Sequence, residues 1–282
     1  MAEKVYGSTF GIAWTELLRR LIERGKVSEP RSMVTKEILN VTLEVENGLA
    51  NILVNNIRDL NYRFMIAEWL WIQGGLNDVN ILAKYNSVMK KFSDDGEILS
   101  GAYGPRLMPQ IPYVLESLNK PDSRQAVATI WTPSPEDSKD IPCTISLQWM
   151  IRGGKVHCTA NMRSSDVWLG LPYDFFTFSQ LTNYVAMRLG RPVGSVTMNL
   201  ASSHIYEEHW DKGKLASYNA TKNTIWSPHI PRSEPVPDAD AIKAMLENDL
   251  HTYVGKFWNN YRLALKQDKK FSLEVLSGLC KN

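Results

Sequence analysis

Cys143, Arg163 and Ser164 are the residues of this chain whose types and spacing could support covalent chemistry on a small molecule. Cys143 follows Pro142 at the mouth of a strand-like run, and Arg163 and Ser164 close the next such run. A hairpin between the two runs would set the thiol beside the guanidinium. A neighbouring cation lowers a thiol pKa and raises the thiolate fraction, which is what a nucleophilic cysteine needs. The competing reading of a solitary cysteine is a small buried apolar residue. Glu68 stands apart for another reason. It is a lone acid between Ala67 and Trp69 on an apolar stretch, where an unpaired charge is costly and so points to function.

The elements that must position these groups are legible in the hydrophobic pattern. Trp14, Leu17, Leu18, Leu21 and Ile22 recur at helical spacing, which predicts an amphipathic helix whose basic face carries Arg19, Arg20 and Arg24. Leu39, Val41, Leu43 and Val45 alternate with Asn40, Thr42, Glu44 and Glu46, a half-buried strand closed by Asn47-Gly48. Residues 61–73 predict an apolar helix that carries Glu68 and stops at Gly74-Gly75, with another helix around 107–118. AVATIWT, TISLQWMI and KVHCTANM read as strands, and Gly153-Gly154 turns the last two into a hairpin. A helix over roughly 175–189 ends at Gly190, and SVTMNL is a further strand. Pro228, Pro231, Pro235 and Pro237 mark an extended linker over 227–237, after which Asp238 caps a final helix of about 28 residues. Strands and helices interleave without a regular βαβ rhythm, so a single α/β (α+β) domain over residues 1–282 is expected.

Composition excludes several classes. Of 282 residues, 44% are hydrophobic and 22% charged, which is globular rather than disordered. Lysine and arginine number 32 against 30 acids, a formal net charge of +2, and so near-neutral a chain does not advertise a nucleic-acid partner. No stretch approaches the roughly 18 uninterrupted apolar residues of a membrane span, and MAEKVYGSTFG lacks the layout of a signal peptide. Cys143, Cys158 and Cys280 are too scattered for a disulfide framework or a zinc knuckle, and His204 and His209, five apart, suit no metal pair. A reduced, metal-free, cytoplasmic protein is the expectation.

Taken together, PC at 142–143, QWMIRGGK, MRSSDVWLGLPYD and SSHIYEEH resemble the thymidylate synthase superfamily, with further matches at PDSR (121–124), IAEWLWIQGG (66–75) and GAYG (101–104). The motifs stand in family order across roughly residues 10–215; the tail beyond them, including 227–282, diverges. The resemblance implies a mixed β-sheet flanked by helices and a homodimer with its sheets back to back. It also implies attack by the Cys143 thiolate on carbon 6 of a pyrimidine nucleoside monophosphate. Carbon 5 then takes a one-carbon unit from 5,10-methylenetetrahydrofolate; synthases reduce the resulting exocyclic methylene, whereas nucleotide hydroxymethylases add water.

Site roles follow from the same resemblance. Arg31 in EPRS, Arg163 and Ser164 match ligands of the 5′-phosphate, and Arg124 in PDSR matches the arginine that reaches the neighbour's phosphate across the dimer. His204 and Tyr206 match the pair that bonds the sugar 3′-hydroxyl. Glu68 matches the glutamate that organises waters at the base, and Tyr103 the tyrosine near carbon 5. Asp166 matches an aspartate that contacts the pterin, although a turn role weighs equally, and Gly170 belongs to the same folate-facing segment.

Departures from the synthases point to the base and the product. Where synthases carry asparagine after GLPF or GVPF, this chain has GLPY followed by Asp174. A carboxylate accepts from cytosine's amino group, but opposes a carbonyl of uracil, acceptor against acceptor, at about 1–3 kcal/mol. NMRS before Asp166 and Thr144 after the nucleophile follow the deoxycytidylate hydroxymethylase pattern too. Gln125 replaces an arginine frequent in relatives, and residues 85–100 lack the tryptophans with which synthases screen the methylene from water. The expected activity is therefore hydroxymethylation of dCMP or CMP. The alternatives are a CMP-specific enzyme of nucleoside-antibiotic biosynthesis, a deoxyuridylate hydroxymethylase, a thymidylate synthase, or a catalytically dead nucleotide- or RNA-binding dimer on the same scaffold.

Overall fold

Short runs of alternating apolar residues build a mixed sheet of eight strands. The computed structural model describes residues 3–133, 137–218, 224–234, 236–249, 251–267 and 269–276. Its strands are β1 (Glu3–Gly7), β2 (Lys26–Ser28), β3 (Thr35–Val45), β4 (Ile52–Leu53), β5 (Val127–Thr129), β6 (Thr144–Arg152), β7 (Lys155–Met162), β8 (Ser165–Asp166), β9 (Val193–Tyr206) and β10 (Thr224–Ile225). The order across the sheet is β1-β3-β9-β7-β6-β5, with β2 added beside β3 and β8 beside β9, while β4 and β10 pair separately. β1 runs parallel to β3, and β9 parallel to β7 and β8; the remaining pairs are antiparallel.

The helices are α1 (Phe10–Arg24), α2 (Tyr62–Gln73), α3 (Val79–Ala83), α4 (Tyr103–Leu107), α5 (Ile111–Leu118), α6 (Leu171–Leu189), α7 (Trp210–Tyr218), α8 (Ala239–Glu247), α9 (Lys256–Ala264) and α10 (Lys269–Leu276). α1 and α6 cover one face of the sheet, α2 lies against α6, and α8 and α10 lie against α2. α6 is buried almost all round, including Ser179, Gln180, Thr182 and Asn183, as a helix held between two layers must be. Phe10 stacks on Phe175 at 4.3 Å, and Trp69 of α2 meets Phe176, Trp258 and Tyr261. These contacts lock α2 and α6, which carry Glu68 and Asp174, into one rigid block.

The other face of the sheet is polar. Thr42 donates to Asn199 at 3.0 Å, Asn199 to Asn161 at 3.0 Å, and Asn161 to Ser146 at 3.1 Å. This chain of side-chain bonds crosses β3, β9, β7 and β6 in turn.

Most expected elements are present, and the differences have local causes. Val41, Leu43 and Val45 are buried as the alternation requires, but Leu39 is 58% exposed because Asn40 takes φ +55° and breaks the pleat. Gly153 and Gly154, at φ +54° and +76°, make the two-residue hairpin turn. α6 begins at Leu171, one turn before the expected 175, so Asp174 sits in its first turn. β9 continues past SVTMNL through His204 to Tyr206. The single long C-terminal helix is not found. Asp238 does cap a helix, accepting from Ala241 N at 2.8 Å, but α8 stops at Asn248, whose φ of +65° closes a left-handed cap, and Gly255 at φ +80° precedes α9. Pro235 and Cys280 lie outside the described residues.

Candidate active site

The expected hairpin brings the thiol and the guanidinium to the same place. β6 and β7 pair from Thr144 opposite Met162, and the Arg163 N–H donates to the Cys143 carbonyl at 2.9 Å. The Arg163 side chain donates from Nε to the Pro142 carbonyl and from Nη2 to the Ile141 carbonyl, both at 2.9 Å, so it also holds the loop that presents the nucleophile. The expected drop in thiol pKa is not found. Burial is the largest influence and pushes the Cys143 thiol above its ordinary value; Arg163 and Arg31 pull it down, while Asp174 and Asp140 add to the rise.

A second group gathers where β8 and β9 end. Asp166 of β8 pairs with His204 of β9, and the Ser164 hydroxyl lies 3.4 Å from His204 Nδ1. The His204 and Tyr206 rings meet edge to face, 5.3 Å between centroids. Arg31 occupies a left-handed turn (φ +53°) and is solvent-exposed. Burial, then the Arg31 and Arg163 charges, lower the His204 pKa, although Glu37 opposes them. An imidazole with two guanidinium charges acting on it and a hydroxyl beside it can hold an anionic ligand that carries a hydroxyl. Arg124 does not join this group. It lies on the loop before β5, where its carbonyl accepts from Gln148 Nε2 at 2.9 Å, four residues along β6 from Thr144.

Between α2 and α6 opens a cavity of about 140 Å³ lined by Glu68, Tyr103, Asp140, Asp174 and Thr177 among apolar walls that include Trp71, Met89 and Leu99. Glu68 and Asp174 are half-buried because their carboxyls face this space; protein encloses them otherwise. Burial, with a smaller push from Asp174, raises Glu68 to about 8; burial, with a smaller push from Asp166, raises Asp174 to about 7. Tyr103 Oη accepts from the Thr144 N–H at 3.3 Å, which joins the cavity to the residue after Cys143. Burial also raises the Tyr103 pKa, and the Asp174 and Cys143 charges add to it.

Asp166 behaves first as a turn residue. Its Oδ1 accepts from Trp168 N and Leu169 N, both at 2.8 Å, yet its buried Oδ2 has no partner among the described residues. Burial pushes its pKa to about 6. Gly170 donates to the Asp166 carbonyl and accepts from Asp174 N at 3.0 Å, tying the segment to the start of α6. Arg58 was not singled out by its sequence context, but it clamps this segment by donating to the Trp168 and Leu169 carbonyls while lying over the Trp168 and Tyr173 rings. Asp140 and Thr177 are polar residues of the cavity that lie outside every motif singled out in the sequence. An acid three residues before the cysteine was the available signal for Asp140; Thr177 had none beyond its position three residues after Asp174. Among the described residues no cluster of three or more His, Cys, Asp or Glu could hold a metal ion, and no described helix is long and apolar enough to cross a membrane.

The raised carboxyls predict an unusual pH dependence. The folded protein holds these protons more tightly than the unfolded chain, whose carboxyls titrate near about 4. Their contribution to stability is fully present below that value and is lost as pH rises through about 7 to 8. Glu68→Gln, which stays uncharged, should therefore flatten the fall in urea midpoint between about pH 5 and 8. A fall of the same size in the variant would assign the proton uptake to other groups.

Comparison with known proteins bears on the family of the chain. The family model described as thymidylate synthase matches residues 13–264, continuing past the residues that carry the motifs. The deoxyuridylate hydroxymethyltransferase of Bacillus phage SP01 is 28% identical over 92% of this chain and 74% of its own. The thymidylate synthase of Bacillus subtilis subsp. natto is 28% identical over 64% of this chain and 70% of its own, and that of Bacillus atrophaeus 30% identical over 56% and 76%. With a family match across most of its length and a helix-flanked mixed sheet that gathers the cysteine, arginine and carboxyl groups, this chain belongs to the thymidylate synthase family of one-carbon transferases.

Proposed function

We propose that this enzyme hydroxymethylates carbon 5 of a cytidine monophosphate, dCMP or CMP, with 5,10-methylenetetrahydrofolate and water. The observation that carries the reading is the Asp174 carboxyl in the wall of the cavity beside Glu68, with its pKa pushed up to about 7. A carboxyl group can accept from the cytosine amino group and share a proton with the adjacent unprotonated ring nitrogen. Cys143 is the nucleophile toward carbon 6, Glu68 and Tyr103 handle protons at the base, and Arg31, Arg163, Ser164, His204 and Tyr206 hold the phosphate and sugar.

The folate, which supplies the one-carbon unit when bound, suits the residues present. The unpartnered buried Asp166 Oδ2 is an acceptor for the N–H edge of a pterin, and Trp71, Met89 and Leu99 offer apolar surface to its ring system. Gly170 sets the turn between Asp166 and Asp174.

A deoxyuridylate hydroxymethylase is the second reading, favoured by the SP01 relative and by the ability of a protonated Asp174 to donate to a carbonyl. Incubation with methylenetetrahydrofolate and carbon-5-tritiated dCMP, CMP or dUMP, following tritium release and product mass, separates the readings. A cytidylate that releases tritium fastest and gains a hydroxymethyl group supports the first, whereas preference for dUMP supports the second. A methylated product would mean a synthase.

We further propose that the chain acts as a homodimer through the polar face of the sheet, with Arg124 completing the partner's phosphate site, each subunit forming one catalytic domain. Light scattering should give the dimer mass. Mixing Arg124→Ala with Cys143→Ala subunits should restore part of the activity, since one hybrid site keeps both residues; a monomer, or a mixture as inactive as its components, would remove Arg124 from the site.

A further inference from the structure

We propose that Asp140 is the base that activates the water consumed in hydroxymethylation, taking its proton as the oxygen bonds to the one-carbon unit on the nucleotide. The inference rests on the hydroxymethylase reading above. Asp140 lies three residues before Cys143 and lines the cavity that also holds Glu68, Tyr103 and Asp174. One of its oxygens, Oδ2, accepts from the Gly101 N–H at 2.7 Å, and no hydrogen bond occupies Oδ1 among the described residues. The close approach is built in, because a Cβ on Gly101 would collide with the Asp140 carbonyl. The loop is strapped down as well. Ser138 Oγ donates to Asp94 and accepts from Asp140 N at 3.0 Å, and Lys139 N donates to Asp94 at 3.1 Å.

An independent sign of water comes from Thr177. Its side chain lines the same cavity, the residue is 2% exposed, and its hydroxyl has no partner among the described residues. Buried hydroxyls in native proteins are hydrogen-bonded, and a polar cavity supplies water where protein does not. The space, about 140 Å³, exceeds the ~10–15 Å³ that one water requires.

The three carboxyls are not equivalent. Glu68 and Asp174 hold their protons near neutral pH. Burial raises Asp140 too, while the Gly101 N–H and the Arg106 charge act against that rise and Asp94 adds to it. Among the described residues it is the one of the three whose carboxyl is fixed by a backbone N–H, from Gly101 at 2.7 Å. In the step proposed, the water oxygen bonds to the exocyclic methylene carbon, and the electron pair of that double bond shifts into the ring. The water proton passes to Asp140. The ring then restores its 5,6 double bond and expels the Cys143 sulfur, which leaves with the pair of its bond to carbon 6. One water is consumed, and no oxidant or reductant is needed.

The test compares Asp140→Asn and Asp140→Glu with the wild-type enzyme in single turnovers of tritiated nucleotide and methylenetetrahydrofolate, with and without 2-mercaptoethanol. Asn keeps an acceptor for the Gly101 N–H, so melting temperature and nucleotide affinity should hold. Tritium release, which precedes the water step, should stay within about threefold, while hydroxymethyl product falls on the order of 10²-fold. The missing product should reappear as the thioether when thiol is added, because a thiolate needs no base. Asp140→Glu should give an intermediate ratio of alcohol to thioether, and this ratio decides if the Asn variant folds poorly. An unchanged ratio, or tritium release and product falling in parallel, would overturn the role. If the wild-type enzyme forms no hydroxymethyl product from any nucleotide, the hydroxymethylase reading itself fails.

Discussion

Cys143→Ala should lower turnover by on the order of 10⁴-fold or more while nucleotide affinity changes by less than about threefold. The thiol is the only atom of this residue that the chemistry needs. The groups assigned to phosphate and sugar sit on other elements: Arg31 in the turn before β3, Arg163 and Ser164 after β7, His204 and Tyr206 at the end of β9. Alanine keeps the Cys143 carbonyl that accepts from Arg163 N, and the guanidinium keeps its own acceptors, the Pro142 and Ile141 carbonyls. Steady-state rates and calorimetric titration with nucleotide measure both halves of the expectation. Activity above about one per cent of wild type would move the nucleophile to another residue. Cys158 is the internal control. It is 2% exposed on β7 opposite Trp149, and burial pushes its thiol to about 12, so Cys158→Ala should leave the rate within a few-fold of wild type.

Asp174→Asn should shift the preference between cytidylate and deoxyuridylate by roughly 10- to 1000-fold, or about 1.4–4 kcal/mol in the ratio of kcat/KM values. The amide can donate to the uracil carbonyl at position 4, which an ionised carboxylate cannot do. It also cannot share a proton with the cytosine ring nitrogen as the carboxyl does. That sharing is feasible because burial holds Asp174 near its protonated form, and a proton on the ring makes carbon 6 more attractive to the thiolate. The position itself survives the substitution. Asp174 N bonds the Gly170 carbonyl at 3.0 Å through the backbone, and Asn differs from Asp by one polar atom. Competition between the two nucleotides in one vessel gives the ratio directly. Wild-type preference for dUMP, or a ratio unmoved in the Asn variant, would overturn the cytidylate assignment.

The pieces that were legible in the sequence are those set by local rules. Helix α2 ends at Gly74-Gly75, a stop signal that lies directly beside the helix it bounds. The β6–β7 hairpin follows from two glycines, and once it forms, antiparallel register alone sets Cys143 beside Arg163. The failures were also local in appearance. The C-terminal helical pattern continues past Asn248 in composition, but a left-handed cap there and a positive φ at Gly255 divide it into shorter helices packed on α2 and one another. Leu39 kept the alternation of its strand, yet the backbone turn at Asn40 put it in solvent.

Chemical identity was a property of the sequence: which side chains are thiol, guanidinium or carboxyl, and in what order they run. Their environment was decided by the tertiary structure. A neighbouring arginine predicted an acidified Cys143, but the enclosing protein and two nearby carboxyls outweigh it, because desolvation acts over every atom around a group and a motif names only one. Glu68 and Asp174 lie 106 positions apart, and only the packing of α2 on α6 sets them on one cavity and raises both pKa values. Thr177 entered that cavity unannounced, and Asp140 was marked only by its place three residues before the cysteine, since neither faces a site until the walls are closed around it. Order along the chain specifies the groups; burial, which depends on everything folded around them, specifies what protons they keep.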